Sequence, residues 1–207
     1  MSNKTKIFSG LCAIVFIVLF SACKKNERRD EALKIVSEWI GKEIRFTGNL
    51  PCYVLGRDTL TELFNEKLIK EFKVLLYVDS TGCSSCRLKL FEWKKLIEEA
   101  DSLFGESIGF LLFFQPKNVQ EIIYMSKRSG FDYPIFIDTK GEMNRLNEFS
   151  QNELYQCFLL DKDNKVLSVG NPTLNTAIWE LFKSQIANEK ESKPKNLTSI
   201  ILHIYTY

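Results

Sequence analysis

Two cysteines with two residues between them, Cys83-Ser84-Ser85-Cys86, are the side chains of this sequence best suited to chemistry. An apolar run ending Val74-Leu75-Leu76-Tyr77-Val78 stops just ahead of them, and a helical pattern begins near Ser85. A Cys-x-x-Cys at a strand-to-helix turn puts its first sulfur at a helix N-terminus. Unpaired backbone N–H groups and the positive end of the helix dipole there favour thiolate over thiol. The second sulfur lies one turn on, within reach of a small disulfide ring. Such a pair suits thiol–disulfide exchange, with Cys83 as the attacking thiolate and Cys86 as the resolving thiol. Arg87 adds favourable charge beside the sulfurs. The alternative for the same residues is a fixed Cys83–Cys86 disulfide that only staples the turn.

Other chemistries are poorly supplied. The single histidine, His203, is in the C-terminal tail, so no Cys–His or Ser–His–Asp site exists without it. Structural zinc sites take their ligands as two close pairs, and only one close cysteine pair is present, so no metal is expected. No cofactor is implied. Lys and Arg number 28 against 26 Asp and Glu, a near balance that points to no polyanionic partner.

The N-terminus indicates where the pair works. Lys4 and Lys6 precede an apolar run from Ile7 to Phe20, too short for a confident membrane-spanning helix, and Ser21-Ala22 follow. A basic start, a short apolar core and small residues describe a secretory signal. Phe20-Ser21-Ala22-Cys23 is similar to a bacterial lipobox, which would make Cys23 the lipidated first residue of the mature chain. Lys24 after it, rather than Asp, points to the outer membrane, facing the periplasm. Residues 1–22 are thus read as a lipoprotein signal and 23–29 as a tether, leaving 185 residues for one domain with a decorated N-terminus. With Cys12 removed and Cys23 acylated, Cys52, Cys83, Cys86 and Cys157 remain. In an oxidising compartment, Cys52 and Cys157 are then free or linked to each other.

The elements that must position the pair follow from periodicity. Leu33, Val36, Trp39 and Ile40 recur at helical spacing, with Asp30 as a cap and Gly41 as the end. Glu43–Phe46 and Cys52–Leu55 read as two short strands that pair with each other, and residues 57–70 carry no clear element. Phe72–Val78 and Ile108–Phe114 read as strands buried on both faces. Helices are expected over 85–103, 117–129 and 142–147, with a short strand over 133–138. A strand over Tyr155–Leu160, a turn at Asp161–Asn164 and a return over 165–169 form a hairpin. Leu174, Ile178, Leu181, Phe182 and Ile186 line a last amphipathic helix. Residues 188–196 read as a charged linker, and Leu197–Tyr207 as an edge strand or a free tail. Strands alternating with helices, then a hairpin and a helix, give a mixed-sheet α/β sandwich.

This order resembles the thioredoxin-like fold, and most of all the TlpA-like and peroxiredoxin-related branch of envelope thiol–disulfide oxidoreductases. Three pieces across residues 72–187 carry the likeness: the strand, Cys83-Ser-Ser-Cys86 and helix; Tyr133-Pro-Ile-Phe-Ile-Asp-Thr-Lys-Gly141; and Phe158-Leu-Leu-Asp-Lys-Asp-Asn-Lys-Val166. Residues 30–71 then form an N-terminal helix and strand extension. The resemblance implies an enzyme that exchanges disulfides with thiols of envelope proteins, anchored to the membrane through Cys23. The alternative is a redox-silent binding module of the same fold. Tyr155 stands where the family has a cis-proline opposite the cysteines, and Tyr77 where it has a buried acid or amide. Proton transfer to the second sulfur then falls to Asp79. Cys157 would lie close to the pair, either as a third thiol or as a small buried apolar side chain. Leu76 in place of the peroxidase proline, seven residues before Cys83, disfavours peroxide chemistry.

Overall fold

The computed structural model describes residues 29–48, 50–55, 62–80 and 88–190. The signal segment, Cys23, most of the tether, the cysteine pair with Arg87, and the C-terminal tail lie outside the described residues. The chain divides into two compact units, residues 1–38 with 195–207 and residues 39–194. In the first unit the described residues, 29–38, are helical, with Asp30 already inside the helix rather than capping it.

The second unit is built on a six-stranded sheet: β1 (Cys52–Tyr53), β2 (Phe72–Val78), β3 (Ile108–Phe114), β4 (Ile135–Ile137), β5 (Cys157–Leu160) and β6 (Val166–Val169). Their spatial order is β1-β4-β3-β2-β5-β6. β2, β3 and β4 run parallel, with Leu76 beside Leu112 and Phe113 beside Phe136; β5 runs antiparallel to β2, with Cys157 opposite Leu76. Every residue of β2 and β3 is buried, as their unbroken apolar runs require of central strands covered on both faces. The exception to that apolar run, Lys73, is fully buried, and its Nζ donates to the Lys162 carbonyl of the β5–β6 turn at 3.0 Å. The same turn is held by the Asp161 carboxylate, which accepts the backbone N–H groups of Asp163 and Lys165, each at 2.8 Å.

Among the described residues of this unit, five helices accompany the sheet: α1 (Glu62–Leu68), α2 (Leu90–Phe104), α3 (Val119–Ser129), α4 (Glu142–Asn147) and α5 (Thr176–Lys190). On one face α2 seats Trp93 edge-on against Phe110, and Lys183 of α5 bridges to Glu99 of α2 at 2.9 Å. On the other face Phe64 of α1 meets Phe113 and Phe136 in T-shaped contacts. The backbone of α1 comes so close to β3 that a Cβ at Gly109 would lie 2.9 Å from the Lys67 carbonyl oxygen, which fixes glycine there.

Several expectations are corrected. First, Glu43–Phe46 forms one bridge, Glu43 to Lys165, and no ladder. Its alternation is real, since Ile44 is buried, but the side-chain amide of Asn147 takes the partner strand's place. Asn147 Oδ1 accepts the Arg45 N–H at 2.9 Å and its Nδ2 donates to the Arg45 carbonyl at 2.8 Å. Second, β1 pairs antiparallel with β4 instead of with that segment, so the extension contributes an edge strand to the main sheet. Third, residues 62–68 are helical. The last helix also runs to Lys190, into the stretch expected as linker, where Lys190 Nζ donates to Ser107 Oγ at 3.0 Å.

Candidate functional site

The parallel strands β2, β3 and β4 end at one edge of the sheet, where the antiparallel β5 begins. Open α/β sheets place their chemistry at such C-terminal strand edges. By chain order the connection carrying Cys83 and Cys86 leaves this edge from the end of β2 and re-enters at Leu88, ahead of α2. Lys89, just before α2, sits in the left-handed region at φ 45°, ψ 41°, and its ammonium donates to the Thr173 carbonyl at 2.8 Å. Left-handed backbone at a residue with a Cβ is held by its surroundings, not by intrinsic preference.

Hydrogen bonds tie the edge into a continuous rim. Tyr77, the penultimate residue of β2, donates its buried hydroxyl to Gln115 Oε1 at 2.9 Å, and the Gln115 N–H returns to the Val78 carbonyl at 2.8 Å. Gln115 in turn presses on Gly141, where a Cβ would lie 2.8 Å from its Nε2 and where φ is 65°. Asp138 follows β4 and accepts the Glu142 and Met143 N–H groups, both at 2.8 Å, so it caps α4. On the β5 side the Tyr77 N–H reaches the Gln156 carbonyl at 2.9 Å. The Gln156 side-chain amide donates to the Asp79 carboxylate at 3.3 Å and to the Ser150 carbonyl at 2.8 Å. Below the rim, Phe149 stacks on Tyr77, with centroids 4.8 Å apart, and packs on Phe158 and Trp39.

The candidate residues are therefore distributed as follows. Asp79 stands directly after β2, held by Gln156. Tyr155 is buried at the end of a 3-10 turn, Glu153–Tyr155, and its N–H donates to the Asn152 carbonyl at 3.0 Å. No cis peptide bond occurs among the described residues. Cys157 lies on the sheet face that α2 covers, opposite Leu76, as a free and fully buried thiol; burial holds its pKa far above the ordinary thiol value. Cys52 is also free, with its pKa pushed up to about 11 by burial. The possible Cys52–Cys157 link is not made: four strand spacings separate their strands, on the order of 19 Å, against the 7 Å limit between Cα atoms that a disulfide tolerates. Leu76 is bonded into the sheet on both sides, between β3 and β5, in a central strand.

Gln156 and Gln115 were not legible as site residues. The available signal was Gln156 itself, one amide in the otherwise apolar run Tyr155–Leu160.

No protein-family model matches the chain, and no curated protein matches it. Solved structures do. A putative thiol:disulfide interchange protein DsbE from Chlorobium tepidum is 19% identical at a TM-score of 0.50, over 72% of this chain and 95% of that one. Peroxidoxin BcpB from Mycobacterium tuberculosis is 17% identical at 0.51, over 72% and 97%. AhpC from the same organism is 14% identical at 0.51, over 73% and 98%. At these identities the likeness establishes the fold, and the fold is thioredoxin-like.

Proposed function

We propose that this chain is a lipid-anchored thiol–disulfide oxidoreductase of the bacterial cell envelope, working through Cys83 and Cys86. The observation that carries the reading is the place of Cys83-Ser84-Ser85-Cys86 in the chain order of a thioredoxin-like fold. In the sequence the motif falls between the C-terminal end of β2 and α2, four residues after Asp79.

In the reductive direction the Cys83 thiolate attacks one sulfur of a protein disulfide. A mixed disulfide forms and one substrate thiolate leaves. Cys86 gives its proton to the Asp79 carboxylate, attacks the Cys83 sulfur and expels the second substrate thiolate. Two electrons have then passed from the pair to the substrate, and the Cys83–Cys86 disulfide must be reduced by a dithiol donor in the same compartment. The reverse sequence oxidises substrate thiols. The substrates are thiols and disulfides of envelope proteins, and acylated Cys23 tethers the domain to the outer membrane on its periplasmic side. Insulin-disulfide reduction is expected from the wild-type chain and its loss from Cys83→Ser; activity that persists without Cys83 would defeat the proposal.

Tyr155 favours a second reading, a redox-silent binding module of the same fold. A buried tyrosine in a 3-10 turn alters the groove in which the family's cis-proline meets substrate. Under that reading the insulin assay stays blank in the wild-type chain.

A further inference from the structure

Helices α2 and α3 lie side by side and leave a groove of about 640 Å³, lined by the start of α2, the two residues before it and one stripe of α3. Leu90 and Phe91 come from α2. On α3, Glu121, Tyr124, Met125 and Arg128 recur at helical spacing along the face that meets the groove. Leu90 and Met125 are buried, whereas Phe91 is 57% exposed and Tyr124 62%, so two aromatic rings stand open beside an apolar floor. The spacing of the helices is fixed. The Lys94 ammonium of α2 donates at 2.9 Å to the carbonyl of Gly130, the residue that caps α3, and pairs with Asp132 at 3.5 Å. Phe91 is held as well, with the Lys95 ammonium 4.4 Å from its ring centre. A groove formed in advance loses little freedom on binding.

Size, charge and position together select the occupant. Ten residues line the groove, against about 20–30 a side in a stable protein–protein interface, so it suits a short stretch of chain and not a second copy. Lys89 and Arg128 offset Glu92 and Glu121, which leaves no net charge to draw an anion or a cation. Glu92 and Glu121 instead offer acceptors, and Arg128 donors, to the N–H and C=O groups of an extended backbone. Leu88, which also lines the groove, is two residues past Cys86, a length that spans at most about 7 Å. Exchange brings the Cα atoms of Cys83 and Cys86, and then of Cys83 and the client's cysteine, within about 7 Å of each other. The client's cysteine is therefore at most about 20 Å from Leu88, or about six residues of extended chain.

We infer that the α2–α3 groove is a client-binding subsite: it takes an extended stretch of the substrate protein with an aromatic or large aliphatic side chain within about six residues of the disulfide cysteine. The inference rests on the exchange proposed above and adds no bond-making step to it. The client side chain packs against Phe91 and Tyr124 over Leu90 and Met125. The mixed disulfide holds it there at high effective concentration, so a weak apolar contact is enough to choose among clients.

The test follows the reduction of synthetic peptides by the reduced full chain. Each peptide is rich in glycine and serine and closed by one internal disulfide. One version carries phenylalanine about three residues outside the ring, and the other carries serine there. The phenylalanine peptide is expected to be reduced about tenfold faster, as filling an apolar pocket allows, and the preference to fall below about twofold in a Phe91→Ser/Tyr124→Ser chain. Should that chain fold poorly, a third peptide serves, with its phenylalanine moved about ten residues away, where the wild-type chain is expected to show no preference. Equal rates for the first two peptides in the wild-type chain would overturn the inference and leave the exchange reading standing. A preference that survives in the double variant, or at the distant position, would overturn it too. Reduction of neither peptide would defeat the exchange reading itself, and the subsite with it. A dimer, or binding to anionic phospholipid vesicles, that depends on Phe91 and comes without peptide preference would give the groove to another occupant and overturn the inference.

Discussion

Tyr155 decides more about this site than any other described residue outside the cysteine connection. The resemblance puts a cis-proline at its position, yet the backbone here uses an N–H that proline lacks, in a bond to the Asn152 carbonyl. The ring is also 3% exposed, so the position contributes to the core as well as to the rim. Restoring proline would remove a buried aromatic side chain and a backbone donor together. Tyr155→Pro is expected to lose about 3–5 kcal/mol of stability, the range for deleting a buried aromatic ring, while Tyr155→Phe, which keeps the ring, should lose about 1 kcal/mol. Urea unfolding of both variants checks this, and a Pro variant as stable as the wild type would mean that the turn accepts the family's geometry. The other described thiols need less attention. Cys52 and Cys157 are buried, and their raised pKa values leave them protonated at neutral pH, so neither competes with the motif as a nucleophile.

At the scale of elements, β2 organises the unit, and Lys73 is the residue that complicates it. An ammonium in the most central strand is buried against the β5–β6 turn, and desolvation lowers its pKa, while Asp161 and Asp163 oppose that shift. The sign is definite. Between the lowered folded value and the unfolded 10.5, the unfolded chain binds more protons than the folded one, so this group's contribution to stability rises with pH across that window. Replacing a buried charge by an apolar side chain of similar length is often neutral to stabilising. Lys73→Met is therefore expected to be more stable than the wild type by about 1 kcal/mol at pH 7, with the gap closing as pH approaches 10.5. Thermal midpoints across pH 7–10.5 measure it; a gap that widens with pH would show that the Lys162 carbonyl bond outweighs desolvation. The same elements show what a sequence discloses. β2 and β3 were readable because central strands need unbroken apolar runs, and the β5–β6 turn because Asp161 and Asn164 suit it locally. Helix α1 was not readable, since its apolar anchor Phe64 gains its meaning only against Phe113 and Phe136. Nor was the fate of Glu43–Phe46, whose partner is an amide 102 residues away. The candidate site divides likewise: the cysteine spacing is local and legible, whereas the Asp79–Gln156 contact exists only once β2 and β5 are paired.

For the molecule as a whole, the question is whether the cysteine pair exchanges or staples, and folding thermodynamics separates the two. A disulfide that merely staples stabilises the folded chain by restricting the unfolded one. For a ring of four residues the chain-entropy relation gives about 2 kcal/mol at 25 °C. An exchanging pair carries a Cys83 thiolate in the folded reduced chain, and that stabilisation subtracts from the advantage of the oxidised state as pH rises. The cycle linking oxidation to unfolding requires the stability difference between the two redox forms to equal the difference in the pair's potential between folded and unfolded chain. At 30 mV per 1.4 kcal/mol, a staple of 2 kcal/mol corresponds to about 40 mV toward a more reducing potential on folding. The proposed exchange therefore predicts that the stability advantage of oxidised over reduced chain shrinks as pH rises toward the free-thiol value of about 8.5, since the folded reduced chain releases its proton before the unfolded one does. Urea unfolding with and without a dithiol reductant measures this on the wild type, and Cys83→Ser gives the reference that titrates no pair. An oxidised-state advantage that stays constant up to about pH 8.5 would instead identify the disulfide as a staple, and the thioredoxin-like fold would then serve binding.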